Sequence, residues 1–146
     1  MKKRILSMLI AVVMLSAMIP TSLIPVRAAE TITPRTPYKI TDETANILGF
    51  PSAYNWDAYR DYYAIRDVEE LYGFAELVNN GEVYANAVLL QNITVNDTVS
   101  ASGADYSWTP IGKDAEHAYR GTFLGSGHTI SGLYCNMPDA TGVGLF

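Results

Sequence analysis

The sequence predicts a mainly β chain, a solenoid of short strands opened by one amphipathic capping helix. Three observations carry that expectation. Asp67–Asn80 repeats apolar residues at helical spacing between a capping signature and a glycine stop. Ala87–Val95 then changes to strand-like alternation. Beyond Tyr119, glycines recur at 121, 125, 127, 132, 142 and 144 between β-rich pieces too short for a sandwich. Short strands with glycine corners suit stacked coils, in which each strand forms one side of a turn of the solenoid.

The first 28 residues carry a different signal. Met1–Arg4 reads MKKR, and Ile5–Ile19 follows without a charge, a basic region ahead of an apolar one as in a secretory signal peptide. Val26 and Ala28 offer small residues at the −3 and −1 positions, which predicts cleavage after Ala28. A retained anchor fits less well, because the run is shorter than the roughly 20 apolar residues that span a bilayer. Pro20 and Pro25 follow it closely, and no second apolar stretch exists. The expectation is an exported protein, secreted or associated with the cell wall, with no transmembrane segment after cleavage.

Charge and composition narrow the class of the remainder. Past residue 28 there are six Lys and Arg against fifteen Asp and Glu, which changes the whole-chain charge of −5 to −9. Such a field excludes a nucleic-acid surface, which needs clustered cations. One cysteine excludes an internal disulfide framework and a Cys-based structural zinc site. The 146 residues fit one domain at most, and 49% hydrophobic residues are enough for a core, so disorder throughout is not expected.

Residues 29–38, with Pro34 and Pro37 and no apolar period, read as an extended linker. The segment 39–64 is aromatic-rich, with Phe50, Tyr54, Trp56, Tyr59, Tyr62 and Tyr63. Such rings serve as core packing more often than as a sugar-stacking surface, and Trp56 and Tyr59 are the candidates for the second use. Tyr59, Tyr62 and Tyr63 follow i, i+3, i+4, which suggests one helical turn. In the helix itself, Asp67 is placed to cap and Glu70 to reach back, as in a capping box. Val68, Leu71, Tyr72, Ala75 and Val78 share a face that Phe74 broadens, and Gly81 supplies the stop. Their places in the cap account for the carboxylates Asp67, Glu69 and Glu70 without catalysis. Asn92 and Asn96 each begin a glycosylation-type triplet, a cheap match, and Thr98–Ser107 reads as a surface loop.

In the last third, Trp108-Thr109-Pro110-Ile111-Gly112 precedes a polar loop, then Gly121, Phe123, Gly125, Gly127, His128, Ile130, Gly132 and Leu133, and finally Gly144-Leu145-Phe146. A bend at Ser131-Gly132 is expected to turn Ile130, Leu133 and Cys135 to the same inward side. These residues resemble the GLUG-motif proteins of bacterial surfaces, whose repeats run W-x-P-I-G, G-x-F-x-G-x-G-H-x-I-x-G-L and G-L-F-G. The helix and following strand at Glu69–Glu82 look like the usual lead-in, so the resemblance covers residues 65–146. It implies a right-handed parallel β-helix in a secreted or wall-associated, adhesin-like protein. Leu124 and Ser126 stand where an acidic residue and Asn are common, which argues against a bound calcium ion. The motif occurs once, and a solenoid needs roughly three stacked units. The expectation is therefore an N-terminal fragment whose helix caps coils completed by further repeats of its own full-length chain.

No constellation for chemistry emerges. His117 and His128 belong to no H-E-x-x-H pair, and Ser126 lacks the G-x-S-x-G spacing of a nucleophile elbow. Gly125–Gly127 lacks the βαβ setting of a dinucleotide loop, and Cys135 reads as a small buried hydrophobe. Trp108 keeps a functional reading, as a ring that stacks on a sugar, against packing over the core. The sequence thus predicts no catalytic, cofactor or metal residue. It points to adhesion or surface scaffolding toward a host surface or extracellular glycan or protein. Two alternatives remain: the leader of an extracellular enzyme, either polysaccharide-active or a zinc metallopeptidase of the immunoglobulin A1 protease type that the resemblance also includes, and a small carbohydrate-binding module.

Overall fold

The computed structural model describes residues 31–49, 56–100, 103–140 and 143–146. The export segment expected at 1–28 and its cleavage point lie outside the described residues, as do Phe50 and Tyr54. In chain order the elements are β1 (Tyr38–Lys39), a 3-10 turn (Trp56–Tyr59), β2 (Tyr63–Ile65), α1 (Val68–Asn79), β3 (Ala87–Leu89), β4 (Ile93–Thr94), β5 (Phe123–Leu124) and β6 (Ile130–Ser131).

Helix α1 is the element that local chemistry best explains. Asp67 is extended at φ −150° and accepts the Glu70 N–H at 2.9 Å, which satisfies one orphan donor of the first turn. At the other end the Gly81 N–H reaches Val78 O at 3.0 Å and the Glu82 N–H reaches Leu77 O at 3.1 Å, the paired bonds of a Schellman stop. Leu71, Phe74, Ala75 and Val78 are buried, and Val68 and Tyr72 pack at the margin. Gly73 lies where the backbone of Arg35 crosses the helix; a Cβ there would overlap the Arg35 carbonyl.

Four strands form one sheet in the order β1-β2-β3-β5, and β4 and β6 form a second. β1 runs antiparallel to β2, whereas β2, β3 and β5 are mutually parallel, with Ala64 opposite Val88 and Val88 opposite Leu124. Side-chain alternation in the four-stranded sheet feeds two cores. Tyr63, Ile65, Ala87, Leu89 and Phe123 face α1 and join Trp108 and Ile111 in the main cluster. Ala64, Val88 and Leu124 face the other way, onto Ile40, Leu48, Tyr59 and Tyr62.

The expected mainly β solenoid, read as the start of a right-handed parallel β-helix, is not what the chain forms. Among the described residues the fold is mixed α/β: one helix of 12 residues against strands of two or three, in one mixed and one parallel sheet. Glycine corners were read as repeated coil geometry, but they join pieces too short to build a regular coil. The N-terminal segment also turns back and adds an antiparallel strand. The helix consequently supplies one side of the main core, and the role expected for it as cap of a solenoid falls with the solenoid.

Two further expectations change. Tyr59, Tyr62 and Tyr63 do not share a helical turn: Tyr59 ends the 3-10 turn and Tyr63 begins β2. Tyr63 is drawn into the strand because its N–H bonds Asn86 O at 2.7 Å, a long-range bond that outweighs local spacing. The stretch read as a linker is extended but fastened. The Arg35 N–H bonds Glu69 O at 3.0 Å, and Tyr38 pairs with Ala64.

Candidate functional site

The polar side chains of this chain divide into those that hold the backbone together and those that line open surface. Four asparagines belong to the first group. Asn79, 8% exposed, donates to Pro110 O at 3.0 Å and accepts from the Gly112 and Lys113 N–H groups, each at 2.9 Å. Asn86 accepts the Thr122 N–H at 2.8 Å, and Asn92 the Thr129 N–H at 3.0 Å. Asn96, 6% exposed, donates to Tyr106 O and Gly132 O and accepts the Tyr106 N–H, all within 2.9 Å. An amide offers a donor and an acceptor on one rigid plane, so each can clamp backbone from a distant segment. Asn92 and Asn96, singled out by their triplets, are both engaged in this way.

Glu70 is the most deeply buried ionisable group. Its side chain has no exposed surface, and Arg66 grips it through Nε at 3.1 Å and Nη2 at 2.5 Å. Arg35 adds a bond to the same carboxylate and a second to Asp67. Instead of closing a capping box on Asp67, Glu70 accepts the Arg66 N–H at 2.9 Å. The hydrogen bond to Glu70 holds the Arg66 guanidinium still more firmly protonated than usual.

Against this background one open surface feature among the described residues is a cleft of about 590 Å³ between the N-terminal segment, the start of α1 and the loop after β4. Glu69, Asp97 and Asp105 contribute carboxylates, and Thr31, Thr33 and Thr94 contribute hydroxyls. Asn96 and Tyr106 form part of the wall, so the amide that clamps the loop also fixes the cleft's shape. Groups of this kind hydrogen-bond to polyols, amides and cations. Among the described residues no three His, Cys, Asp or Glu are grouped to hold a metal ion.

The residues expected to matter are scattered relative to this cleft. Trp108 is 1% exposed; it donates from Nε1 to Gly144 O at 3.1 Å and meets Tyr72 edge-on at 5.1 Å, so no ring face is open to a sugar. Pro110 and Ile111 are buried beside it, and Gly112 is held by Asn79. Tyr59 packs edge-on against Tyr62 at 6.2 Å, and the Trp56 side chain lies outside the described residues. Gly121 precedes β5 and Phe123 begins it, while Gly125, Gly127 and His128 form the corner to β6, closed by the His128 N–H on Gly125 O at 2.8 Å. Ile130, Leu133 and Cys135 all pack against the main core, across the bend at Gly132. Gly132 has φ +71°, and its Cα lies against the backbone of Asn96, where a Cβ would overlap the carbonyl oxygen. His117 is tied to Asp114 at 2.6 Å, and this hydrogen bond holds the Asp114 carboxyl below its ordinary range.

Sequence reasoning missed the cleft. Its carboxylates and threonines are spread over three segments, each unremarkable alone, and periodicity carries no sign of their meeting. No described helix is long and apolar enough to cross a membrane. No protein family, curated protein or solved structure matches this chain.

Proposed function

We propose that the chain is an exported bacterial surface protein that binds an extracellular glycan or protein without transforming it, and so serves adhesion or surface scaffolding. The observation that carries this reading is the division of polar groups described above. The buried asparagines and Glu70 are committed to holding backbone and helix. The cleft, walled in part by Asn96, presents hydroxyls and carboxylates, and no cysteine, serine or histidine is among its described lining residues. The export pattern of residues 1–28 supports the extracellular setting, and the resemblance of residues 108–146 to surface proteins agrees with it.

Binding of the exported protein to immobilised host glycans and extracellular-matrix proteins tests the proposal. The expected result is saturable binding to one of these surfaces, weakened about tenfold or more when Asp97→Ala and Asp105→Ala empty the cleft of two charge-assisted acceptors. Equal binding by the double variant would remove the cleft from the reading. Turnover of a polysaccharide or peptide by the purified chain would replace a binding role with an enzymatic one.

A further inference from the structure

We infer that the protein has a second binding site, a saccharide subsite built on the turn at residues 82–86, where the Tyr84 ring stacks on the apolar face of one sugar. The site lies past the C-terminal end of α1, where β2 and β3 begin and β2 is paired on both sides, by β1 and β3. Helix α1 has 12 residues, about 18 Å, and the cleft at its other end shares no lining residue with this site. The inference therefore does not rest on the cleft. The turn is a surface segment held almost as firmly as a strand. The Ala85 N–H closes it on Glu82 O at 2.9 Å, and Val83 O accepts the Arg120 N–H at 2.8 Å. Ala85 O accepts the Tyr119 hydroxyl at 2.9 Å, and Asn86 O accepts the Tyr63 N–H at 2.7 Å. Gly121 lies against the Ala85 carbonyl, with no room for a Cβ.

This fixed turn holds Tyr84 67% exposed, the most exposed large hydrophobic side chain among the described residues. Arg120 lies over the ring, with Cζ 5.9 Å from its centroid, and Nη1 donates to the hydroxyl at 3.1 Å. A ring oriented in advance and left in water binds at little entropic cost. The groove of about 280 Å³ beside it determines what covers it. Asp61 and Glu82 supply carboxylates to that groove and Lys39 an ammonium. Buried Tyr63 donates its hydroxyl to Glu82 Oε2 at 3.2 Å and lies under Lys39 Nζ at 5.0 Å, which steadies both charged groups. The Glu82 carboxylate keeps lone pairs for a ligand. With Arg120 counted, two cations and two carboxylates cancel, so the site favours neither a cation nor an anion. A neutral sugar matches every part: a C–H face for the ring, hydroxyls that donate to carboxylates and accept from an ammonium, and no charge. An apolar peptide would cover the ring but leave the carboxylates without donors.

Amide NMR titration of the exported protein with neutral hexasaccharides of glucose, mannose, galactose and N-acetylglucosamine tests this. At least one sugar should move the amides of residues 82–86 saturably, with Kd on the order of 1 mM. Tyr84→Ala should weaken that binding about tenfold or more, whereas Tyr84→Phe, which keeps the ring, should stay within about threefold. Ile47→Ala removes a similarly exposed apolar side chain outside the groove and should bind as the parent does. Because Tyr84 is exposed, both of its variants should unfold within a few degrees of the parent. No shift with any sugar at about 10 mM overturns the inference, as does equal binding by Tyr84→Ala. Saturable shifts confined to the residues of the cleft overturn it too, while leaving the cleft's own reading in place.

Discussion

Glu70 shows how one residue can decide local order. A carboxylate with no exposed surface is tolerable only because two guanidinium groups meet it, and both of those reach solvent. Glu70→Ala should cost about 2–4 kcal/mol in urea unfolding, since it leaves Arg66 half-buried opposite a void. Glu70→Gln, which keeps the acceptor for the Arg66 N–H, should cost less. A loss under about 0.5 kcal/mol for Glu70→Ala would place the cluster among ordinary surface pairs. Two tyrosines make a separate prediction. Burial pushes the Tyr72 and Tyr119 hydroxyls up to about 12 from 10.0. The folded state therefore holds these protons more tightly than the unfolded one. The stability they contribute is fully present below pH 10 and is lost as pH rises toward 12. Absorbance titration should show at least these two tyrosines ionising late, together with loss of helical signal. Ionisation of all tyrosines near pH 10 with the fold intact would contradict it.

At the level of elements, helix α1 was the most legible part of the sequence. Its cap, its apolar face and its glycine stop are all local, each readable within four residues of its partner. Leu71→Ala should cost about 2–4 kcal/mol, because Leu71 is fully buried against the sheet. Asp67→Ala should cost about 1 kcal/mol or somewhat more, since Asp67 also meets Arg35. Thermal or urea unfolding of both variants checks the order. The alternation of Ala87–Val95 was legible too, although the chain breaks it into β3 and β4 at Gln91-Asn92. The rest was hidden because it depends on distant partners. Nothing near Tyr38 announces pairing with Ala64, and nothing near Asn79 announces Pro110. Gly125, Gly127 and Gly132 are real corners, but corners alone do not reveal whether the pieces between them form regular coils. The cleft was illegible for the same reason: Thr31, Glu69 and Asp97 become neighbours only after the chain has folded.

Across the whole molecule, several of the long-range bonds span a nearly constant stretch of chain. Asn86 reaches 36 residues forward, Asn92 reaches 37, Asn96 reaches 36 and Trp108 reaches 36. Such spacing has a kinetic consequence. Each strand pair must close a long segment before any of its bonds form, and that entropy is spent ahead of the reward. The helix, whose bonds are local, has no such delay. Refolding should be slow for a chain of this size, in the range of milliseconds to seconds, with α1 formed early and the closures deciding the barrier. Ile65→Ala, in the β2–β3 pair, should then show most of its effect as slower refolding, while Leu124→Ala, at the last strand to join, should mainly hasten unfolding. Stopped-flow chevrons for the two variants would separate these outcomes, and an Ile65 effect confined to the unfolding limb would reverse the assigned order. A nascent chain on the ribosome meets the same rule in time: β2 emerges with β1 before β3 can reach it, so the half-made protein must wait with one edge of β2 unpaired.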